Sequence, residues 1–151
     1  MQTFLPYQNF IQSAKCLDYR RLGKQRVEAK QLINILEGKN TSKAWTHHPA
    51  LLMWKGYTDT LKLYHDIMIA EWINRGYKNT MQLYCGNVCK QTLLTVDYQF
   101  SGNFENPIWL KDEFCSFHRA TLLYKNYEYY KQFSWTETPK YEYLWPVKIA
   151  K

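Results

Sequence analysis

Between Pro49 and Gly76 the residues Ala50, Trp54, Tyr57, Leu61, Tyr64, Met68 and Trp72 recur in steps of four and three. That spacing lines them up along one stripe of an α-helix. Pro49 occupies a favoured first position, and Gly76 follows Arg75 as a C-terminal cap. At about 1.5 Å per residue, one helix over this span reaches roughly 40 Å, enough to cross a domain of this size. A chain carrying such an element is built around it as a central pillar.

Two further helices are expected. One runs from about Ser13 towards Leu36, stopped by Gly38, with Leu22, Ala29, Leu32, Ile33 and Leu36 facing the core. Gly23 weakens its middle and marks a bend or break. Another opens at Asp112, with Leu110, Phe114, Phe117, Thr121 and Tyr124 on one side. From Tyr77 to Pro107 the periodicity fails: Gly86, Asn87, Gly102, Asn103 and Asn106 mark turns, and Thr92–Val96 reads as a short strand or a helical turn. The tail from Tyr127 to Trp145 reads as aromatic and extended, with Pro139 and Pro146 preventing regular structure, and is expected to pack back across the helices. No repeat or linker divides the 151 residues. The expected architecture is a compact, mainly α single domain, residues 1–151, of about three main helices with an extended aromatic C-terminal tail.

Charge narrows the partners. The run Leu17-Asp18-Tyr19-Arg20-Arg21-Leu22-Gly23-Lys24-Gln25-Arg26-Val27-Glu28 lies in a window, Lys15 to Lys30, with six cations against two anions. That window supplies +4 of a whole-chain formal charge of +7. Fixed charge at this density attracts phosphate, which points to nucleic acid or an anionic nucleotide. A solvated face is the plainer alternative, but such faces mix signs for i,i+4 pairing, and here only Lys24 and Glu28 do so. Thirteen Tyr and six Trp serve a core or a base-stacking surface equally well. No segment approaches the roughly 20 apolar residues of a membrane span, and no signal peptide is evident, so a cytoplasmic protein without membrane contact is expected. Cys16, Cys85, Cys89 and Cys115 offer only one close pair, at CxxxC spacing, and neither a metal nor another cofactor is expected from them.

Several side chains are candidates for binding or chemistry. Arg20, Arg21, Lys24, Gln25 and Arg26 follow one another on the first helix and suit phosphate oxygens. Glu28, at the edge of that strip, is the candidate acid or base, with a salt-bridge spacer as its plainer role. His47 and His48 stand at the mouth of the long helix, where unpaired N–H groups favour anions; an N-capping turn with one buried His explains them equally well. His118 and Arg119 offer a further donor pair, and Trp45 and Trp54 are candidates for stacking on a base.

Motifs along nearly the whole chain resemble a known family. They are Met1-Gln2-Thr3-Phe4-Leu5-Pro6, Leu17-Asp18 with Arg21 to Glu28, His48-Pro49-Ala50, Met53-Trp54 with Gly56-Tyr57, and Glu71-Trp72 with Arg75-Gly76-Tyr77. Pro107 with Trp109-Leu110, His118-Arg119 with Leu122-Leu123, and Tyr143 to Val147 complete the set. Together they resemble the bacterial and phage branch of the pyrimidine-dimer DNA glycosylase family, whose founder is phage endonuclease V. The resemblance implies a compact three-helix, metal-free domain that binds duplex DNA and flips out a nucleotide. It also implies chemistry in which a free N-terminal amine attacks the sugar C1′ and forms an imine, assisted by a glutamate of the first helix. This chain departs from that pattern twice. Gln2 disfavours methionine removal, so the amine belongs to Met1, one residue further out; and Arg21 stands where the glutamate is expected, leaving Glu28 to substitute if the helix register allows.

Three functions follow as expectations. The first is a DNA glycosylase with apurinic-lyase activity, using Met1 and Glu28. The second is a non-catalytic phage protein sequestering a small anionic signalling nucleotide, with Arg20, Arg21, Lys24, Arg26, His47, His48 and His118 closing around phosphate and Trp45 or Trp54 stacking on a base. The third is a plain nucleic-acid interaction module of salt-dependent affinity.

Overall fold

Helix boundaries are set where a polar side chain or a left-handed residue interrupts the apolar periodicity. The computed structural model describes residues 2–39, 46–85, 93–94 and 104–146. Among these, six α-helices succeed one another: α1 Phe10–Cys16, α2 Tyr19–Leu36, α3 Pro49–Trp54, α4 Thr58–Asn74, α5 Asp112–Lys125 and α6 Tyr127–Tyr130, followed by a 3-10 turn at Lys131–Phe133. The chain is mainly helical, with no strand among the described residues. The three longest, α2, α4 and α5, correspond to the three expected main helices.

The first helical region begins earlier than expected and breaks elsewhere. Asn9 caps α1, its Oδ1 accepting the Gln12 N–H at 2.9 Å. The interruption falls at Leu17 and Asp18, both extended, and not at Gly23. Leu17 is fully buried and Asp18 is bonded to Tyr130, so the corner is fixed by tertiary contacts that local propensity does not report. Gly23 continues the helix for a different reason. A Cβ there would stand 3.1 Å from Trp72 Cζ3, so its absence is what lets α2 and α4 approach.

The expected 40 Å helix is two helices. Gly56 adopts φ +88, a left-handed conformation that no right-handed helix accepts, and Lys55 is extended beside it. The stripe is nonetheless correct as a burial pattern: Ala50, Trp54, Leu61, Tyr64 and Met68 are fully buried. α4 is the true pillar. It is buried on nearly every side from Thr60 to Glu71 and packs most extensively on α2, then on α1.

α5 opens at Asp112 as expected, but its inner side is Phe114, Cys115, His118, Thr121, Leu122 and Leu123, while Tyr124 is exposed. The tail is partly regular: α6 and the 3-10 turn precede Pro139, and only residues 134–146 lack helix. It does pack back, with the Lys140 N–H on the Ala120 carbonyl and the Thr121 hydroxyl donating to the Glu142 carbonyl at 2.8 Å. Most of 77–107, including Thr92 and 95–96 of the expected strand or turn, lies outside the described residues.

Candidate functional site

Extended backbone buried in an α-helical protein has no ladder partners, so its polar groups must be met by side chains. Residues 2–6 are buried and belong to neither helix nor strand, so the same demand falls on them. The Phe4 N–H donates to Gln25 Oε1 at 2.9 Å, and the Leu5 N–H donates to His118 Nδ1 at 2.8 Å. The Tyr64 hydroxyl is shared between the Phe4 carbonyl at 2.9 Å and Gln25 Oε1 at 2.6 Å. Trp54 Nε1 donates to Thr3 Oγ1 at 2.9 Å, and Arg119 Nη1 donates to the Pro6 carbonyl at 2.8 Å. Four helices, α2 to α5, thus fix the start of the chain. At its head the Gln2 N–H donates to Glu28 Oε2 at 3.2 Å, and Gln25 Nε2 approaches the same oxygen at 3.4 Å. Glu28 Oε1 has no hydrogen bond among the described residues.

This head opens onto a cavity of about 800 Å³, walled by α2 on one side and by the end of α5, α6 and the tail on the other. The size lies within the range of small-molecule and nucleotide pockets. Arg20, Arg21, Lys24 and Lys125 contribute positive charge to the wall, Asp18 and Glu28 negative charge, and Tyr19, Tyr129, Tyr141 and Tyr143 aromatic surface. Asp18 is not available to a ligand. Its buried carboxylate accepts the Tyr130 hydroxyl and pairs with Arg21 Nη1 at 3.2 Å. Arg20 is exposed, its Nε donating to the Tyr19 hydroxyl at 3.0 Å, and Lys24 is exposed without an ion pair among the described residues. Burial pushes the Tyr143 hydroxyl well up, helped by its bond with Tyr141, so it faces the cavity as a neutral phenol.

The expected site residues therefore separate into two groups. Arg20, Arg21, Lys24, Gln25 and Glu28 meet at one cavity. Arg26 does not line it: its guanidinium lies 4.1 Å over the Trp72 ring, and its Nη1 donates to Asn79 Oδ1 at 3.2 Å. Burial lowers its pKa. Gln25 lines the wall, but its amide is committed to Phe4, Tyr64 and Glu28, which makes it a support for the segment.

Three other expectations are corrected, those for Trp54, His118 and Arg119, while of the two readings of His47 and His48 the capping turn fits His48. Trp54 is fully buried and bonded to Thr3, so no base can stack on it. His118 is fully buried beneath Phe4 and Phe114, with its pKa pushed down to about 3 by burial; it stays neutral and accepts from Leu5 instead of gripping phosphate. Arg119 is clamped by Glu137 at 3.1 Å, Asp112 at 3.2 Å and the Pro6 carbonyl. His48 caps α3, its Nδ1 accepting the Ala50 N–H at 3.0 Å, and packs on Trp145, while His47 is exposed. Neither lines the cavity. Met1 and Trp45 lie outside the described residues.

Sequence reasoning missed the far wall. Lys125, Asn126, Tyr129, Tyr141 and Tyr143 are more than a hundred positions from Glu28 or nearly so, and no local motif joins them. Their one signal in the sequence is the aromatic density of the tail, which packing explains equally well.

Comparison with known proteins adds one finding. A protein-family model described as pyrimidine dimer DNA glycosylase matches residues 1–84, more than half of the chain. The match takes in α1 to α4, and with them the α2 wall of the cavity and the segment that ends on Glu28. No curated protein and no solved structure matches the chain.

Proposed function

The chain belongs to the pyrimidine dimer DNA glycosylase family, and from that premise we propose that it is a DNA glycosylase with apurinic-lyase activity whose nucleophile is the amine of Met1. The observation that carries the proposal is the Gln2 N–H donating to Glu28 Oε2 at the head of a cationic cavity. The amine is separated from the Gln2 N–H by a single residue, at most about 3.6 Å of chain. Glu28 occupies this position although it is seven residues from Arg21, two helical turns further along α2.

Each part then has a chemical task. Arg20, Lys24 and Lys125 hold backbone phosphates at the rim, where point charges and guanidinium forks position the strand without reading it. The amine lone pair attacks C1′ of the flipped nucleotide. The base departs with the electrons of the glycosidic bond and takes up a proton. The nitrogen, now bonded to C1′, gives up one proton; its remaining lone pair opens the C1′–O4′ bond, O4′ takes up that proton as a hydroxyl, and a protonated C1′ imine is left. Glu28, held by the Gln2 and Gln25 donors, stabilises the cation that develops at C1′ and then accepts the proton whose loss drives strand cleavage.

The sequestering alternative draws less support. It relied on seven cationic or imidazole groups closing around phosphate, and only Arg20, Arg21 and Lys24 line the cavity. A plain interaction module remains the outcome of a negative chemical test. That test is sodium borohydride with duplex DNA bearing either a pyrimidine dimer or an abasic site. The expected result is a covalent adduct whose peptide map ends at the N-terminus; salt-sensitive binding without any adduct would reduce the protein to a binding module.

A further inference from the structure

We propose that Asp18 and Tyr130 are positioning residues that brace the Arg21 guanidinium for a phosphate of the bound strand; strand phosphate as the ligand rests on the glycosylase reading above. An aspartate just before a helix ordinarily turns its carboxylate onto the first free N–H groups. Asp18 holds that place before α2 and makes no such bond. Its oxygens go to two other groups. The Tyr130 hydroxyl, 112 positions away, donates to Oδ1, and Arg21 Nη1 donates to Oδ1 at 3.3 Å and Oδ2 at 3.2 Å. The Tyr130 oxygen in turn accepts the Asp18 N–H at 3.0 Å, so the aspartate is held by backbone and side chain alike. Tyr130 is fully buried, and burial together with the Asp18 carboxylate pushes its hydroxyl far above the ordinary range, so it stays a neutral donor.

A fixed corner before α2 would by itself explain Asp18 and Tyr130, but not the third member. The Arg21 side chain is 21% exposed against 6% for Asp18, and Arg21 lines the cavity. Only its Nη1 is engaged; Nε and Nη2 make no hydrogen bond among the described residues. Two of the three guanidinium nitrogens are thus left for an anion, and a guanidinium fork suits phosphate oxygens. A carboxylate in the wall of an anion-attracting cavity works against binding by charge. What it supplies in exchange is order, since a braced arginine loses less rotamer freedom when it grips a ligand. Arg20 and Lys24 show the contrast: both are exposed, Arg20 meets only the Tyr19 hydroxyl, and Lys24 has no ion pair among the described residues. Exposed charge draws the strand in, and a braced guanidinium fixes where its phosphate comes to rest.

The test is binding of a duplex carrying a stable abasic-site analogue, followed by fluorescence anisotropy across a salt series, on proteins whose melting curves show them folded. Arg21→Gln should weaken binding about 10-fold and lower the slope of log K against log salt by about 1. Asp18→Asn gives the decisive sign. It keeps an oxygen for the Tyr130 hydroxyl but raises the net charge by one, so charge alone predicts tighter binding. Loss of the brace predicts binding weaker by about 5-fold or more. Tyr130→Phe changes no charge and should weaken binding about 2- to 3-fold, and it carries the test if Asp18→Asn does not fold. Neither change should weaken binding further in an Arg21→Gln background, because a brace acts only through the group it braces. Asp18→Asn or, in its place, Tyr130→Phe binding as tightly as wild type or tighter would overturn the positioning role, and so would equal losses with and without Arg21. Borohydride trapping on the same proteins judges the glycosylase reading separately: a wild type that binds but is never trapped ends that reading and leaves this one to the binding data. A wild type that does not bind the duplex overturns both.

Discussion

The two faces of α2 carry similar charge and do opposite things. On one face Arg20, Arg21, Lys24 and Glu28 look into the cavity, with Lys24 and Arg20 reaching solvent. On the other, Arg26 lies over Trp72 at 4.1 Å and Lys30 over Tyr84 at 4.4 Å, its Nζ donating to the Tyr84 hydroxyl at 2.8 Å. Trp72 is itself stacked on Tyr77 at 4.3 Å, so the second face is a cation and aromatic laminate that locks α2 to α4 and the chain beyond it. What differs is the partner: rings and amides occupy the charge on one side, while on the other Arg21 pairs with Asp18, Arg20 meets the Tyr19 hydroxyl at the surface and Lys24 reaches solvent. Cationic density alone does not say which charges are free to bind.

The largest effect that would break this division falls on the cavity face. Glu28→Gln should lower the rate of borohydride trapping by about 100- to 10,000-fold while the protein still binds DNA and unfolds at a similar temperature. A variant that traps normally would place the chemistry elsewhere.

Next in size is the floor of that face, where His118 holds the Leu5 N–H. Its pKa in the fold is about 3 against an ordinary 6.5, so it binds fewer protons folded than unfolded. Above pH 6.5 it is neutral in both states and adds no pH dependence. As pH falls from about 6.5 towards 3, the unfolded chain takes up a proton that the fold refuses, and up to about 4 kcal/mol of stability is lost across that window. Urea midpoints at pH 7, 5 and 4 should show the decline, and His118→Asn, whose oxygen can replace Nδ1, should start less stable but lose this part of the slope. Parallel curves for the two proteins would remove His118 as the cause.

The smaller effects separate the faces directly. Arg20→Gln with Lys24→Gln should weaken DNA binding about 10-fold or more and reduce the slope of log K against log salt by about 2. Arg26→Gln should leave that slope alone. On the packed face Gly23→Ala sets a gain in helix propensity of about 1 kcal/mol against an overpacking cost of about 1–3 kcal/mol. Trp72 has little room to yield, being held by Arg26, by Tyr77 and by its own Nε1 bond to the Lys78 carbonyl at 2.9 Å. The net expectation is a loss of about 1 kcal/mol in denaturant melts with DNA affinity unchanged. Arg26→Gln should cost a similar or smaller amount, as expected for a partly exposed cation over an indole.

Helix content was legible because burial leaves a period in the residues, and a stripe such as Ala50 to Met68 survives even when a corner at Lys55–Tyr57 divides it. The corner itself was not legible. Gly56 falls inside the expected long helix until its φ is known, and Asp18 inside the expected first helix until Tyr130 is found against it. The cavity was half legible. Arg20, Arg21, Lys24 and Glu28 are local on one helix and could be read together, whereas Lys125 and Tyr143 join them only through the path of the tail. His118 and Arg119 read as donors for phosphate and Trp54 as a stacking ring, but His118 and Arg119 meet the backbone of Leu5 and Pro6, and Trp54 meets the Thr3 hydroxyl.

The amino-acid order by itself determined the sign of the charge, its concentration near the start of the chain, the mainly helical class and the kinship with a glycosylase family. These are properties of composition and short spacing, which no fold can rearrange. Only the tertiary structure decided which cations are occupied and which residues wall the cavity, and it also decided that the Gln2 N–H meets Glu28. Those depend on which distant groups satisfy a buried donor or acceptor, and that choice exists only once the helices have closed around residues 2–6.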